Sequence, residues 1–224
     1  MILVFDLDDT LYEELTFVKS GFRAVAVYLN EHYSIPVQTG FEFMLEKISS
    51  GRGRIFDDLL IHHRIYKQQL VQKCVSIYRL HRPEIALHLE ADACLERFSN
   101  YPLYIVTDGN KMVQNNKIKA LGLDKRVKFC YITHRYGIKN AKPSPYCFLK
   151  ICEREKVTPK EVFYIADNPH KDFVGIKPLG FRTIRVMQGA YREIRLSSDY
   201  EADNRIGTLD ELTEEFLATI SAHR

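Results

Sequence analysis

Apolar and polar positions along the chain follow two rhythms. Ile2, Leu3, Val4 and Phe5 form an unbroken apolar run that stops at Asp6. A short run of this kind fits a strand covered on both faces, as in a parallel sheet. Five later segments read as strands or strand ends: 101–106 running into Thr107, 127–133, 161–166 running into Asp167, 181–186, and 202–206. Helical stretches lie between or after them: 112–121 closed by Gly122, 146–155 opened by Pro145, and 209–220. Strand alternating with helix implies a parallel sheet with right-handed crossovers.

One interval breaks the rhythm. About ninety residues separate Thr10 from the next strand, far more than one crossover requires. Phe17, Val18, Phe22, Val25, Ala26 and Leu29 recur close to a helical period, and 56–60 and 65–78 read similarly. Turn signals fall at Ser34-Ile-Pro-Val and at 49–54, Ser-Ser-Gly-Arg-Gly-Arg. The expected architecture is an α/β core at 1–12 and 87–224, carrying an inserted helical subdomain at 13–86.

Composition narrows the class. The chain has 224 residues, 46% hydrophobic and 27% charged, as in a globular protein with a real core. A formal net charge of +3 is too small to argue for nucleic acid. The lysines of 111–125 are dispersed, and no aromatics interleave with them as a stacking platform. No window reaches transmembrane length, and Asp6 interrupts the only apolar start. The expected location is the cytoplasm. Five scattered cysteines, never spaced C-x-x-C, fit reduced thiols.

The chemistry starts with the question of why Asp6, Asp8 and Asp9 crowd the end of a buried strand. Close carboxylates repel unless a cation or a shared proton relieves them. Mg²⁺ takes oxygen ligands and often only one or two carboxylates. The same residues also fit an acidic turn, with Asp9 and Thr10 capping the next helix. Thr107-Asp-Gly alone reads as a turn. Lys142-Pro-Ser-Pro reads as a helix entry, with Ser144 as cap and Pro145 in the first helical position. Asp167 to Asp172 alone fits a solvated loop.

Taken in order, these clusters resemble the motifs of the haloacid dehalogenase superfamily, dominated by phosphatases. Asp6, Asp8 and Thr10 match its D-x-D-x-T motif, Thr107 its second, and Lys142 its third. Asp167 and Asp172 match its final acidic pair, with Ala166 where the pattern usually has glycine. The resemblance covers nearly the whole chain. It implies a Rossmann-like parallel sheet with helices on both faces and a helical cap inserted after the first motif. It also implies roles. Asp6 would be the nucleophile that forms an aspartyl-phosphate. Asp6, the backbone carbonyl of Asp8 and Asp167 would hold Mg²⁺. The Asp8 side chain would act as general acid and then base. Thr107, with backbone N–H groups at Asp108 and Gly109, would bind the phosphoryl oxygens, Lys142 would hold Asp6 and phosphate together, and Asp172 would support Lys142. Asp9 is left as a turn or helix-start residue.

In capped members of the superfamily the cap selects the substrate. Arg52 and Arg54, between two glycines and a helix, can grip an anionic leaving group; they also fit a basic solvated loop. The expected substrate is a small phosphorylated metabolite, a sugar phosphate or nucleoside monophosphate, with no nucleic acid or membrane partner. The sequence leaves the oligomeric state open. The dehalogenase branch lacks the second aspartate of the first motif, and Asp8 is present. The phosphonatase branch needs a desolvated cap lysine, and nothing marks Lys47 or Lys67 as one. A phosphomutase, or a silent binding module on the same fold, remains as the alternative.

Overall fold

The computed structural model describes every residue except Ser50, Arg52, His223 and Arg224. The expectation for Arg52 therefore lies outside the described residues. Strands β1 (Ile2–Phe5), β2 (Leu103–Thr107), β3 (Phe129–Ile132), β4 (Val162–Ala166), β5 (Arg182–Val186) and β6 (Asn204–Ile206) form one six-stranded sheet. Its order is β3-β2-β1-β4-β5-β6, and every neighbouring pair is parallel. Ile2, Val4, Tyr104, Val106, Val162 and Tyr164 pack into one core cluster with Cys147, Phe148 and Ile151. Their alternates Leu3, Phe5, Ile105 and Ile165 are equally buried, so the other face is covered too. Burial on both faces is why these strands read as continuous apolar runs.

The chain winds outward from β1 to β3 and then returns to the other side of β1 as β4. Strand order reverses there, and in open α/β sheets the ligand crevice lies outside the carboxyl ends of the strands at that point. Asp6 follows β1, Thr107 ends β2 and Asp167 follows β4, so all three fall at this crevice.

Helices α1 (Glu14–Tyr33), α2 (Val37–Ser49), α3 (Ile55–His62), α4 (Gln68–Leu80) and α5 (Leu89–Arg97) lie between β1 and β2. Helix α6 (Lys111–Ala120) follows β2, α7 (Tyr146–Glu155) precedes β4, and α8 (Glu214–Ala222) comes last. The chain divides into two compact units, Met1–Glu14 with Ala86–Arg224, and Leu15–Ile85. The second unit has its own core: Val18, Phe22, Val25, Ala26 and Leu29 of α1 cluster with Met44, Ile55, Leu59, Leu60, Leu70, Val71 and Cys74.

Some elements differ from the sequence reading. Helix α2 escaped it because only Gly40 and Met44 are buried there, too thin a stripe to show a period. Helix α5 escaped because its buried stripe is only Ala91, Cys94 and Leu95. The expected terminal helix 209–220 is two pieces: a 3₁₀ turn at Leu209–Glu211, then α8. Thr213 interrupts it, its hydroxyl accepting from the Phe216 N–H at 3.1 Å as a cap does. Pro145 flanks α7 rather than starting it, and the Ser144 hydroxyl accepts from Tyr146 N–H at 3.4 Å. All five cysteines are free thiols. Among the described residues no helix is long and apolar enough to cross a membrane.

Candidate active site

Asp6 leaves β1 with its N–H still bonded to Ile165 O at 2.9 Å, so its backbone is fixed by the sheet. Lys142 Nζ lies 2.9 Å from Asp6 Oδ1 and 2.7 Å from Asp172 Oδ1, and donates to the Tyr164 hydroxyl at 3.0 Å. Lys142, Asp6 and Asp172 are all buried. Asp172 also accepts from the Tyr164 hydroxyl at 3.0 Å and from Asn168 N–H at 3.1 Å. The Lys142 loop and the Asp167–Asp172 loop meet at Gly175. A Cβ there would sit 1.7 Å from the Pro143 carbonyl oxygen, so only glycine allows this approach.

Asp6, Asp167 and Asp172 each offer a carboxylate oxygen within 4.8 Å of the others. Three buried carboxylates so close are electrostatically unfavourable. Burial pushes Asp6 up to about 6 despite the Lys142 charge. Burial, with repulsion from Asp6 and Asp172, pushes Asp167 up to about 9. Burial works against the Lys142 charge, but Asp172, Asp6 and Asp108 outweigh it and hold the ammonium protonated. The cluster has one lysine for three carboxylates, and an oxygen-seeking divalent cation fits this donor set.

Asp8 has different company. Its Oδ1 accepts from Lys117 Nζ at 2.7 Å and from the Tyr12 hydroxyl at 2.5 Å; its Oδ2 accepts from Gln114 Nε2 at 2.9 Å. Burial alone would raise this carboxyl, yet Lys117, Tyr12 and Gln114 together hold it below the usual range. Gln114 Nε2 also donates to the Thr107 hydroxyl at 2.6 Å. Gln114 and Lys117 are both buried on α6.

Asp108 works through its side chain as well as its position. Oδ1 accepts from the Thr133 hydroxyl at 2.6 Å and from Lys142 N–H at 3.1 Å, and Oδ2 lies 3.2 Å from Lys171 Nζ. Burial opposes its charge, but Lys142 and Lys171 keep it ionised. This one carboxylate joins the loops after β2, β3 and β4. Lys171 is thus half-buried at the site, whereas His170 is exposed. Gly109 adopts φ 131°, which glycine tolerates. Asp9 caps α1, its Oδ1 accepting from Glu14 N–H at 2.8 Å, while Thr10 donates to Asp167 at 3.4 Å instead of capping.

Behind Asp167 stands Arg185, fully buried on β5. It donates to the Asp167 carbonyl at 3.1 Å, to the Tyr191 and Ile194 carbonyls, and to both Glu201 oxygens at 2.9 Å. Sequence reasoning missed Tyr12, Gln114, Lys117, Tyr164, Lys171 and Arg185. Two polar residues three apart on the buried side of α6 were the available signal. Arg54 lies in the helical unit, largely exposed and 3.8 Å from Asp57. It lines a cavity of about 270 Å³ with Phe22, Phe56, Tyr78 and Arg79.

The sheet order, the motif positions and the carboxylate cluster together define a hydrolase-type α/β site. The family model for haloacid dehalogenase-like hydrolases matches residues 1–180. The chain belongs to that family and is a hydrolase of it. It is 27% identical over 223 residues to the glyceraldehyde 3-phosphate phosphatase of Pyrococcus furiosus, covering 95% of this chain and 91% of that protein. It is 26% identical over 250 residues to the phosphoserine phosphatase of Thermus thermophilus, covering 94% and 97%. Among solved structures, the 2-haloacid dehalogenase of Pseudomonas syringae superposes with a TM-score of 0.67 at 25% identity, covering 98% of both chains.

Proposed function

We propose that the protein is a Mg²⁺-dependent phosphatase that hydrolyses a small phosphorylated metabolite through an aspartyl-phosphate on Asp6. The observation that carries this reading is the Asp6–Lys142 contact at 2.9 Å inside a trio of buried carboxylates. A buried carboxylate beside a cation is a nucleophile with its charge already compensated. Asp6, the Asp8 carbonyl and Asp167 are the residues assigned to Mg²⁺, which would supply charge neutralisation between Asp6 and the phosphoryl oxygens. Asp172 is engaged by Lys142, Tyr164 and the Asn168 N–H, so we assign it to positioning Lys142.

In the first step Asp6 attacks phosphorus and the ester oxygen leaves, taking a proton from the Asp8 carboxyl. In the second, Asp8 takes a proton from water, whose oxygen attacks the same phosphorus. Inorganic phosphate leaves and the Asp6 carboxylate returns. Lys142 offsets charge on the transferring group, and Thr107 with the N–H groups of Asp108 and Gly109 binds its oxygens. The Lys117 contact favours ionised Asp8, the form the second step uses; the first step uses the protonated form.

The carboxylate at position 8 weighs against halide displacement, which leaves no alkoxide to protonate. The helical unit is assigned to substrate selection as a cap spanning roughly 13–86, with Arg54 as its candidate contact to an anionic group. The relatives' names put glyceraldehyde 3-phosphate and phosphoserine first in a substrate panel, beside sugar phosphates and nucleoside monophosphates. The test is inorganic phosphate release across that panel, with Mg²⁺ and with chelator, for the native chain and Asp6→Asn. Release that needs both Mg²⁺ and Asp6 supports the phosphatase. Phosphate moved between positions of one substrate without release would replace it with a phosphomutase.

A further inference from the structure

We propose that Gln114 and Lys117 are positioning residues for the acid–base carboxylate: from one face of α6 they hold the Asp8 side chain and tie it to Thr107. The inference rests on the acid–base reading of Asp8 given above. Its physical basis is an unusual expenditure of buried polarity. Lys117 and Gln114 are 3% and 2% exposed, on a helix whose neighbouring buried residue is Ile118. Apolar side chains at both positions would cover the sheet without desolvating an ammonium and an amide. Both polar groups instead converge on one carboxylate, Lys117 at 2.7 Å from Oδ1 and Gln114 at 2.9 Å from Oδ2. Tyr12 closes the third side, its hydroxyl on Oδ1 and its ring 5.9 Å from Lys117 Nζ. With both oxygens held from different directions, the carboxylate plane is fixed, which a single contact could not do.

Gln114 adds a second consequence. Its amide nitrogen carries two hydrogens; one goes to Asp8 and the other to the Thr107 oxygen at 2.6 Å. Thr107 therefore accepts from the protein and keeps its own hydroxyl proton for an oxygen outside this network. That sets Thr107 as a donor to the phosphoryl group and fixes its distance from Asp8. Helix α6 starts four residues beyond Thr107, capped by the Asn110 side chain, so the spacing between Thr107 and the two clamp residues is rigid.

The test uses leaving-group dependence, which a merely structural role would not move. A poorly acidic alcohol needs a well-placed proton donor to leave, whereas p-nitrophenolate leaves without one. For Lys117→Met, kcat/KM, which reports the steps up to departure of the alcohol, should fall about 10²-fold on the best alkyl phosphate of the panel and no more than about 3-fold on p-nitrophenyl phosphate, whereas kcat, which includes the shared hydrolysis of the aspartyl-phosphate, should fall on both. Lys117→Arg should restore part of the alkyl rate. Gln114→Leu, which leaves the ion pair intact, should show the same selectivity together with a rise in KM on both substrates. Adding Lys117→Met to Asp8→Asn should cost nothing further, because both act through one group. Equal losses of kcat/KM on the two substrates for Lys117→Met, or an additive loss in the double variant, would overturn the inference while leaving the phosphatase reading in place. A native enzyme with no phosphate release, or an Asp8→Asn variant with no leaving-group dependence, would overturn the reading beneath it.

Discussion

Asp6 and Asp8 are two residues apart on one loop, yet their surroundings push them in opposite directions. Asp6 shares its space with Asp167 and Asp172, and burial lifts it to about 6 even with Lys142 in contact. Asp8 sits against Lys117, Tyr12 and Gln114 and is held below the usual carboxylate range. One residue type is placed in two different electrostatic settings by what the fold brings against it. The Asp6 side is short of positive charge and fits a cation; the Asp8 side is internally satisfied and needs none.

The largest effect should come from removing the proposed nucleophile. Asp6→Asn should lower phosphate release by at least about 10⁴-fold, since the proposed acyl phosphate forms on Asp6. Lys142→Met should come next, at about 10³-fold or more in kcat, because it removes the cation beside the proposed nucleophile. It should also lower the melting temperature, as buried Asp172 then loses its charge partner. Glu201→Gln tests the scaffold behind both sides. It leaves buried Arg185 without its charge partner and should cost about 3–5 kcal/mol in denaturant unfolding.

A smaller effect sharpens the comparison through pH. The folded-state values of Asp6 and Asp167, about 6 and about 9, lie above the unperturbed 3.8. Raised acids favour the protonated folded state. Their stabilisation is full below about 3.8 and is lost as pH climbs through about 6 and then about 9. With chelator, thermal stability should therefore decline across that window. Mg²⁺ competes with those protons, so its stabilising effect should grow with pH, reaching about 2.7 kcal/mol at a hundredfold excess over Kd. A Mg²⁺ effect that is the same at both ends of the window would break the assignment of the cation to the Asp6 side. The smallest effect should be a few-fold rise in KM for Arg54→Ala with kcat kept.

Part of the site was legible in the sequence because Asp6, Thr107 and Asp167 end or follow strands, and apolar runs mark those places. Asp6, Thr107 and Asp167 could be located before their neighbours were known. The Asp8 side was not, because Gln114 and Lys117 sit in a helix of mixed polarity whose exposed lysines hide which face is buried. Reading 111–125 as a dispersed basic helix gave no reason to single out Lys117. Arg185 was hidden differently. The segment 181–186 read as a strand, but its Arg185 is fully buried and satisfied by Glu201 and three carbonyls, which the segment alone does not show. Long-range partners such as Tyr164 and Lys142, 22 residues apart, leave no local trace in composition or period. The helical unit repeats the lesson: α1 has a full apolar stripe and was readable, whereas α2 buries two residues and was not.

The most direct test of Asp6 as the nucleophile is to trap its product. The protein would be mixed with Mg²⁺ and its best substrate, quenched in acid during turnover, and digested for mass spectrometry. The aspartyl-phosphate mechanism requires a phosphoryl adduct on the peptide carrying Asp6, removable by hydroxylamine and missing from Asp6→Asn. Turnover with no adduct on that peptide, or an adduct on any other residue, would contradict it.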